Sequence, residues 1–201
     1  MTKVFTALAV STDGYIAGPN DGPGNPLGDG GGRLFDWYRD GDTQSRHYPE
    51  FRLSEKSAGV FDQICARTGA VISGRRTYEI SNAWGGKGPL PGVPLFVLTH
   101  EAPDEPPPSE PPYTYVTAGI ADAIEQAKRT AAKDQRDVAL MGSAPVRAAL
   151  EADLLDEITL HQVPILLGGG VRLLDNFPTE VRLNSVVYAP GVTHISYELM
   201  R

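Results

Sequence analysis

Cysteine is almost missing from this chain. Its 201 residues include one, Cys65, so no disulfide can form within it, and a reducing compartment is expected, with Cys65 as a buried structural thiol. The four histidines, His47, His100, His161 and His194, have no metal-ligand spacing, and no metal site is expected. Positive charge is scarce as well: 18 Lys and Arg stand against 25 Asp and Glu, a net charge of −7. That balance argues against a nucleic-acid partner, which needs a clustered basic surface, and an anionic ligand must be gripped locally. No apolar run is long enough to span a membrane. The opening MTKVFTALAVSTDG imitates a secretion signal, but its apolar stretch is short and meets Asp13. It reads as a first strand, and the expected location is cytoplasmic.

Several catalytic signatures are also absent. No G-x-x-x-x-G-K-[ST] occurs, since GGKG at 85–88 lacks the hydroxyl residue and the spacing. No G-x-G-x-x-G joins a strand to a helix, and no G-x-S-x-G elbow exists. Phosphate-loop, dinucleotide-fingerprint and hydrolase readings therefore have no support.

What is present is a regular alternation. An apolar content of 41% and the chain length fit one globular domain, 1–201. KVFTALAV reads as a strand buried on both faces, followed by a Gly/Pro/Asn/Asp loop from about 18 to 32. Residues 33–55, which include LFDWY, follow neither period. SEKSAGVFDQICART reads as a helix with Lys56, Val60 and Ile64 on one side and Phe61 widening the stripe. GAVIS, VPLFVLT, YTYV and DVALMG are strand-like, RRTYEISNAW reads as a short helix, and EAPDEPPPSEPP is too proline-rich for anything but a stiff surface loop. TAGIADAIEQAKRTAAK has the helical period with Thr117 as N-cap, and SAPVRAALEADLL reads as a helix capped by Ser143. DEITLHQVPILL is a long strand, GGGVRLLD turns into a short helix, and EVRLNSVVYA with VTHISYELM forms a hairpin around Pro-Gly. The fold class this predicts is α/β: a mostly parallel central sheet, helices on both faces and a C-terminal antiparallel hairpin at one edge.

In such sheets ligands bind beyond the carboxyl ends of the strands, where loops lead into helix starts. Three junctions have a strand ending in glycine: ISGRRTY, LMGSAPV and LLGGGVRLL. Glycine admits a ligand close to the backbone, and a helix start offers unpaired N–H groups to an anion. Together with Arg75, Arg76 and Thr77 they predict a phosphorylated ligand along the sheet edge.

STDGYIAG, GRRTYE, VLT and MGSAPVRAALEADLLDEITLHQVPILLGGGVRLL resemble the dihydrofolate reductase-like superfamily, in particular the branch containing the C-terminal reductase domain of RibD. The likeness runs along nearly the whole chain and implies a reductase that uses NADPH, acts on a small-molecule substrate and pairs as a homodimer. It implies that Gly74, Arg75, Arg76 and Thr77 bind the cofactor phosphates, with either arginine available for the 2′-phosphate. Thr99 falls beside the adenosine end, Gly142, Ser143, Ala144 and Val146 form a second phosphate-binding helix start, and Ala9 and Ile16 flank the nicotinamide.

The substrate half departs from the pattern. Where the folate enzymes carry an acid on the first long helix, an ungapped count gives Ala58, with Glu55 and Asp62 nearest. Where the RibD reductases place Glu before paired glycines, this chain has Met141 before Gly142-Ser143. Asp13 and Asp36 are the candidate catalytic acids, and Phe35, Trp37 and Tyr38 either stack on a flat heterocycle or anchor a loop. The function expected is NADPH-dependent reduction of a small heterocycle, related to the pyrimidine reductase step of riboflavin biosynthesis or to dihydrofolate reduction. The alternative is a nucleotide- or flavin-binding protein without turnover.

Overall fold

The computed structural model describes residues 1–175 and 177–200. From the N-terminus, β1 (Val4–Ser11) and β2 (Tyr15–Ala17) precede a 3-10 helix (Gly31–Arg39) and two short strands, β3 (Thr43–Gln44) and β4 (Arg52–Leu53). Then come α1 (Glu55–Arg67), β5 (Thr68–Gly74), α2 (Arg75–Ile80), β6 (Leu95–Leu98) and β7 (Thr114–Val116). The remainder is α3 (Ile120–Ala131), β8 (Asp137–Met141), α4 (Ser143–Glu151), β9 (Glu157–Val163), β10 (Val171–Arg172), β11 (Val181–Ala189) and β12 (Val192–Leu199). The eight longer sheet members run in the order β11-β12-β9-β1-β8-β5-β6-β7. Parallel pairing joins β1, β8, β5, β6 and β7, and antiparallel pairing joins β9, β12 and β11. The α/β class and the terminal antiparallel hairpin are as the alternation predicts.

The chain forms two compact units, one of Met1–Thr6 with Thr68–Asp156 and one of Ala7–Arg67 with the chain from Glu157 onward. In the first, the central strands are apolar on both faces: Val4, Ala70, Ile72, Val138 and Leu140 are all buried. That is the pattern of parallel strands covered on both sides. Helix α3 packs on β5, β6 and β8 through Ala123, Ile124, Ala127 and Ala131, the stripe its periodicity predicts. Its N-cap position is Gly119 rather than Thr117, and Gly142 rather than Ser143 precedes α4. Both glycines hold positive φ, which places the expected capping hydroxyls out of the N-cap position. Helix α2 stops at Ile80, because Asn82, Ala83 and Trp84 turn left-handed.

In the second unit the hairpin β11–β12 has two different faces. Val181, Leu183, Val186 and Tyr188 lie opposite Leu199, Tyr197, Ile195 and Thr193, and a bulge between Leu183 and Ser185 keeps that row on one side. The other side carries Val187 opposite His194 and Ala189 opposite Val192, and α1 packs against β11. The buried face of α1 is Ser57, Ala58, Phe61 and Cys65, rotated from the predicted Lys56, Val60 and Ile64. The rotation has a reason: Ser57 shares a 3.0 Å hydrogen bond with His194 Nε2, a polar contact no apolar stripe reveals. Cys65 is buried, and burial, with Asp62 nearby, pushes its thiol up to about 12. It is inert packing, as expected.

The run GGGVRLLD does not form a helix. Val171 and Arg172 pair antiparallel with Ala17 and Tyr15 of β2. Gly170, at φ 117°, lies so close that an added Cβ would stand 2.1 Å from the Ala17 carbonyl oxygen. Three glycines contribute no helix propensity, and a distant strand supplies the partner.

Candidate functional site

Two of the three predicted junctions lead from strand to helix, and they meet. β5 ends at Gly74, and Arg75, Arg76 and Thr77 form the first turn of α2. β8 ends at Met141, and Gly142 leads into Ser143, Ala144, Pro145 and Val146 of α4. A Cβ on Gly142 would fall 2.5 Å from Thr77 Oγ1, and one on Gly74 would fall 3.2 Å from Pro145 Cδ. Only a residue without a side chain fits at 142, whose φ of 89° also excludes most others. Val146 is fully buried and anchors α4, while Ala144 is exposed at its start. The arrangement gathers backbone N–H groups, the Thr77 hydroxyl and the Arg75 guanidinium along one rim of the first unit, with Arg76 exposed in the same helical turn.

Beside this rim lies a cavity of about 260 Å³. Val97, Thr99, Tyr78 and Tyr115 line it, with the two tyrosine hydroxyls 2.9 Å apart. Arg75 lies at its edge: its Nε donates to Glu79 Oε1 at 2.7 Å, and its Nη1 reaches Thr99 Oγ1 at 3.5 Å. The hydrogen bond and charge of Glu79 raise the guanidinium above its ordinary value, and the charge of Glu101 adds to this. Thr99 is itself fixed, donating to the Glu101 carbonyl at 2.8 Å. Glu101 and Asp104 also line the cavity. The sequence reading placed Thr99 and Arg75 in this region but overlooked its carboxylates. The i,i+4 spacing of Arg75 and Glu79 was the signal available.

The second unit holds the other predicted residues. Ala9 is buried on β1, and Ile16 is half-buried on β2. Asp13 accepts from Ser11 Oγ at 2.6 Å, from the Gly168 N–H at 2.7 Å and from the Leu167 N–H at 3.1 Å. The Ser11 hydroxyl is the largest cause, with the two amides, of a carboxyl lowered to about 2. It is an anion at neutral pH, and its geometry is that of a clamp on the third glycine-rich segment. Nearby, the Arg172 guanidinium stacks on Tyr15, 4.6 Å from the ring centroid, and donates to the Asp13 carbonyl. Asp36 is exposed on the 3-10 helix, and its carboxylate makes no hydrogen bond within the described residues.

Trp37 is an anchor, not a stacking platform. It is 2% exposed, donates Nε1–H to the Leu34 carbonyl at 3.0 Å and packs on Phe61. Tyr38 stacks on Phe51 at 4.5 Å, and burial raises its hydroxyl. Under Trp37 lies a buried polar chain that the sequence did not disclose. His161 and His194 face each other across β9 and β12 with their Nδ1 atoms 2.8 Å apart, and both rings lie 5.2 Å from Trp37. His194 continues through Ser57 Oγ to Ser54 Oγ, 3.0 Å further. Burial lowers both imidazoles, and for His161 the neighbouring His194 adds to it. Among the described residues no group of His, Cys, Asp and Glu could hold a metal ion, and no helix is long and apolar enough to cross a membrane.

The family model described as RibD C-terminal domain matches residues 2–190. A protein described as a riboflavin biosynthesis protein from Shewanella sp. PV-4 has a solved structure that superposes with a TM-score of 0.70 at 23% identity, covering 100% of both chains. The diaminohydroxyphosphoribosylaminopyrimidine deaminase/5-amino-6-(5-phosphoribosylamino)uracil reductase of Thermotoga maritima gives 0.61 at 13% identity over 99% of this chain and 57% of its own. Dihydrofolate reductase from Enterococcus faecalis, solved with NADP(H), gives 0.59 at 12% identity over 98% and 96%. At these identities the structural likenesses establish the fold. No curated protein sequence matches the chain.

Proposed function

The chain belongs to the RibD C-terminal domain family, and on that footing we propose that it is an NADPH-dependent reductase of a small heterocyclic substrate. The reaction class is that of the pyrimidine reductase step in riboflavin biosynthesis or of dihydrofolate reduction. One observation carries the reading: the β5–α2 and β8–α4 junctions converge at Thr77 and Gly142 with Arg75 and Arg76 alongside. Gly74 to Thr77 and Gly142 to Val146 would hold the pyrophosphate through backbone N–H groups and the Thr77 hydroxyl. Thr99 and an arginine would serve the adenosine end. The bound nicotinamide supplies a hydride, and the protein's part is to orient it and exclude water. Of the two candidate acids, Asp36 is the one whose carboxylate has no hydrogen-bond partner among the described residues. Asp13 keeps the 167–168 backbone in place.

Fluorescence titration with NADPH and NADH, followed by turnover on a panel of reducible pyrimidines and pterins, tests the reading. The expected result is micromolar or tighter NADPH binding, NADPH oxidation with at least one substrate, and loss of about 1–3 kcal/mol of NADPH binding in either Arg75→Ala or Arg76→Ala. Tight binding with no turnover across the panel favours a binding protein without catalysis, and no dinucleotide binding refutes the reading.

We also propose that the protein pairs as a homodimer. The exposed row Val181, Leu183, Val186 and Tyr188, between 43% and 73% accessible, supports it, since so continuous an apolar strip is uncommon on a monomer. Light scattering on the parent and on Leu183→Glu distinguishes a dimer that dissociates from a monomer throughout.

A further inference from the structure

We propose that Glu79 determines which dinucleotide the α2 cavity prefers, by competing with the 2′-phosphate for Arg75. The inference rests on the dinucleotide reading above and adds a specificity residue to it. A guanidinium grips a phosphate best with its Nε and one Nη in parallel. In Arg75 the Nε is already donated to Glu79 Oε1 at 2.7 Å, and the Nη1 points to Thr99 Oγ1 at 3.5 Å. A 2′-phosphate, carrying between one and two negative charges, can take that edge only by displacing Glu79. The unphosphorylated ribose of NADH demands no displacement, and its 2′-hydroxyl can donate to a carboxylate as it stands.

The remaining charges point the same way. Glu79, Glu101 and Asp104 line the cavity together with Arg75, so carboxylates outnumber guanidinium groups there by three to one. A dianion placed among them is repelled, whereas a neutral diol is not. Arg75 and Glu79 are each about half accessible, with side-chain exposures of 53% and 52%, so Glu79 can swing away without unfolding anything. It therefore tempers rather than abolishes the phosphate preference that an arginine pair gives.

The test is Glu79→Gln, measured with four probes: NADPH, NADH, 2′,5′-ADP and 5′-AMP. The glutamine keeps the size and the hydrogen-bonding reach of the residue and removes its charge. The expected result is a rise of about five-fold or more in the NADPH/NADH affinity ratio, matched in the 2′,5′-ADP/5′-AMP ratio and shrinking as salt is raised. In an Arg75→Ala background the same change raises both ratios by a clearly smaller factor, because only the direct repulsion by the Glu79 charge is then removed and the contested partner is gone; an equal rise in the two backgrounds overturns the competition for Arg75. Ratios within about two-fold for Glu79→Gln alone overturn the proposal while dinucleotide binding stands. Failure of all four probes to bind the unmodified protein overturns the dinucleotide reading and this proposal with it.

Discussion

Taking the protein from about pH 7 to about pH 5 adds about one and a half protons to two rings of the unfolded chain that the folded chain does not accept. His161 and His194 are 3% and 2% exposed, and their hydrogen bonds run to each other and to Ser57. No carboxylate among the described residues opposes the downward shift of either ring, so nothing nearby rewards an imidazolium. In the unfolded chain each ring takes up its proton near the ordinary value of 6.5. Folded pKa values below unfolded ones mean that the unfolded state binds more protons as pH falls below about 6.5, so stability is full above that value and declines beneath it. The limiting slope for two groups is about 2.7 kcal/mol per pH unit, and the loss between about pH 7 and pH 5 integrates to about 4 kcal/mol. Against the usual 5–15 kcal/mol that is a large share. Urea unfolding followed by the emission of tryptophan, with Trp37 against both rings, measures it directly. The double variant His161→Gln/His194→Gln removes most of the slope. A parent protein equally stable at the two pH values would falsify the reasoning, because it would mean that the rings are protonated in place or are not buried. Asp13 does not confuse the result: its carboxyl, held at about 2, supports stability above the ordinary 3.8 and loses that support only as pH falls towards about 2.

Other outcomes follow from the same contacts. Trp37→Ala removes a ring that is 2% exposed and sits on Phe61 and both histidines, and thermal or urea unfolding is expected to register a loss of about 3–5 kcal/mol. Arg67→Ala breaks a 2.8 Å ion pair whose side chains are 29% and 10% exposed and leaves Glu157 in a buried site, a cost of about 2–4 kcal/mol. Gly142→Ala forces a Cβ within 2.5 Å of Thr77 Oγ1 at φ 89°; NADPH affinity is expected to fall at least about ten-fold, with a stability loss of about 1–3 kcal/mol. Asp13→Asn replaces a carboxylate that accepts two backbone N–H groups, and hydrogen exchange at Leu167 and Gly168 is expected to accelerate selectively.

What the sequence disclosed and what it hid divide along a physical line. β1 and β5 were legible because unbroken apolar runs of strand length have one economical arrangement, and α3 because four small or aliphatic residues recur at the helical period. Both signals are local. The segment 168–172 was misread because VRLLD looks helical alone, while its pairing with β2 lies about 155 residues away in the chain. The face of α1 was rotated because Ser57 is buried for the sake of His194, 137 positions distant. Within the site, glycine-ended strands and the Arg-Arg-Thr triplet stood out as local patterns. The carboxylates around Arg75 did not, since Glu101 and Asp104 come from a proline-rich loop whose return to α2 no spacing encodes.

The contact between positions 77 and 142 has a bearing on how this rim can change over generations. Bare backbone at 142 leaves room for the oxygen at 77 and none for a second side chain, so 142 cannot gain one while that oxygen stays. An alanine at 142 would need both the γ-oxygen gone from 77 and the backbone turned out of its φ of 89°, so exchanging the pair between two relatives recovers the lost space but leaves the backbone strain in place.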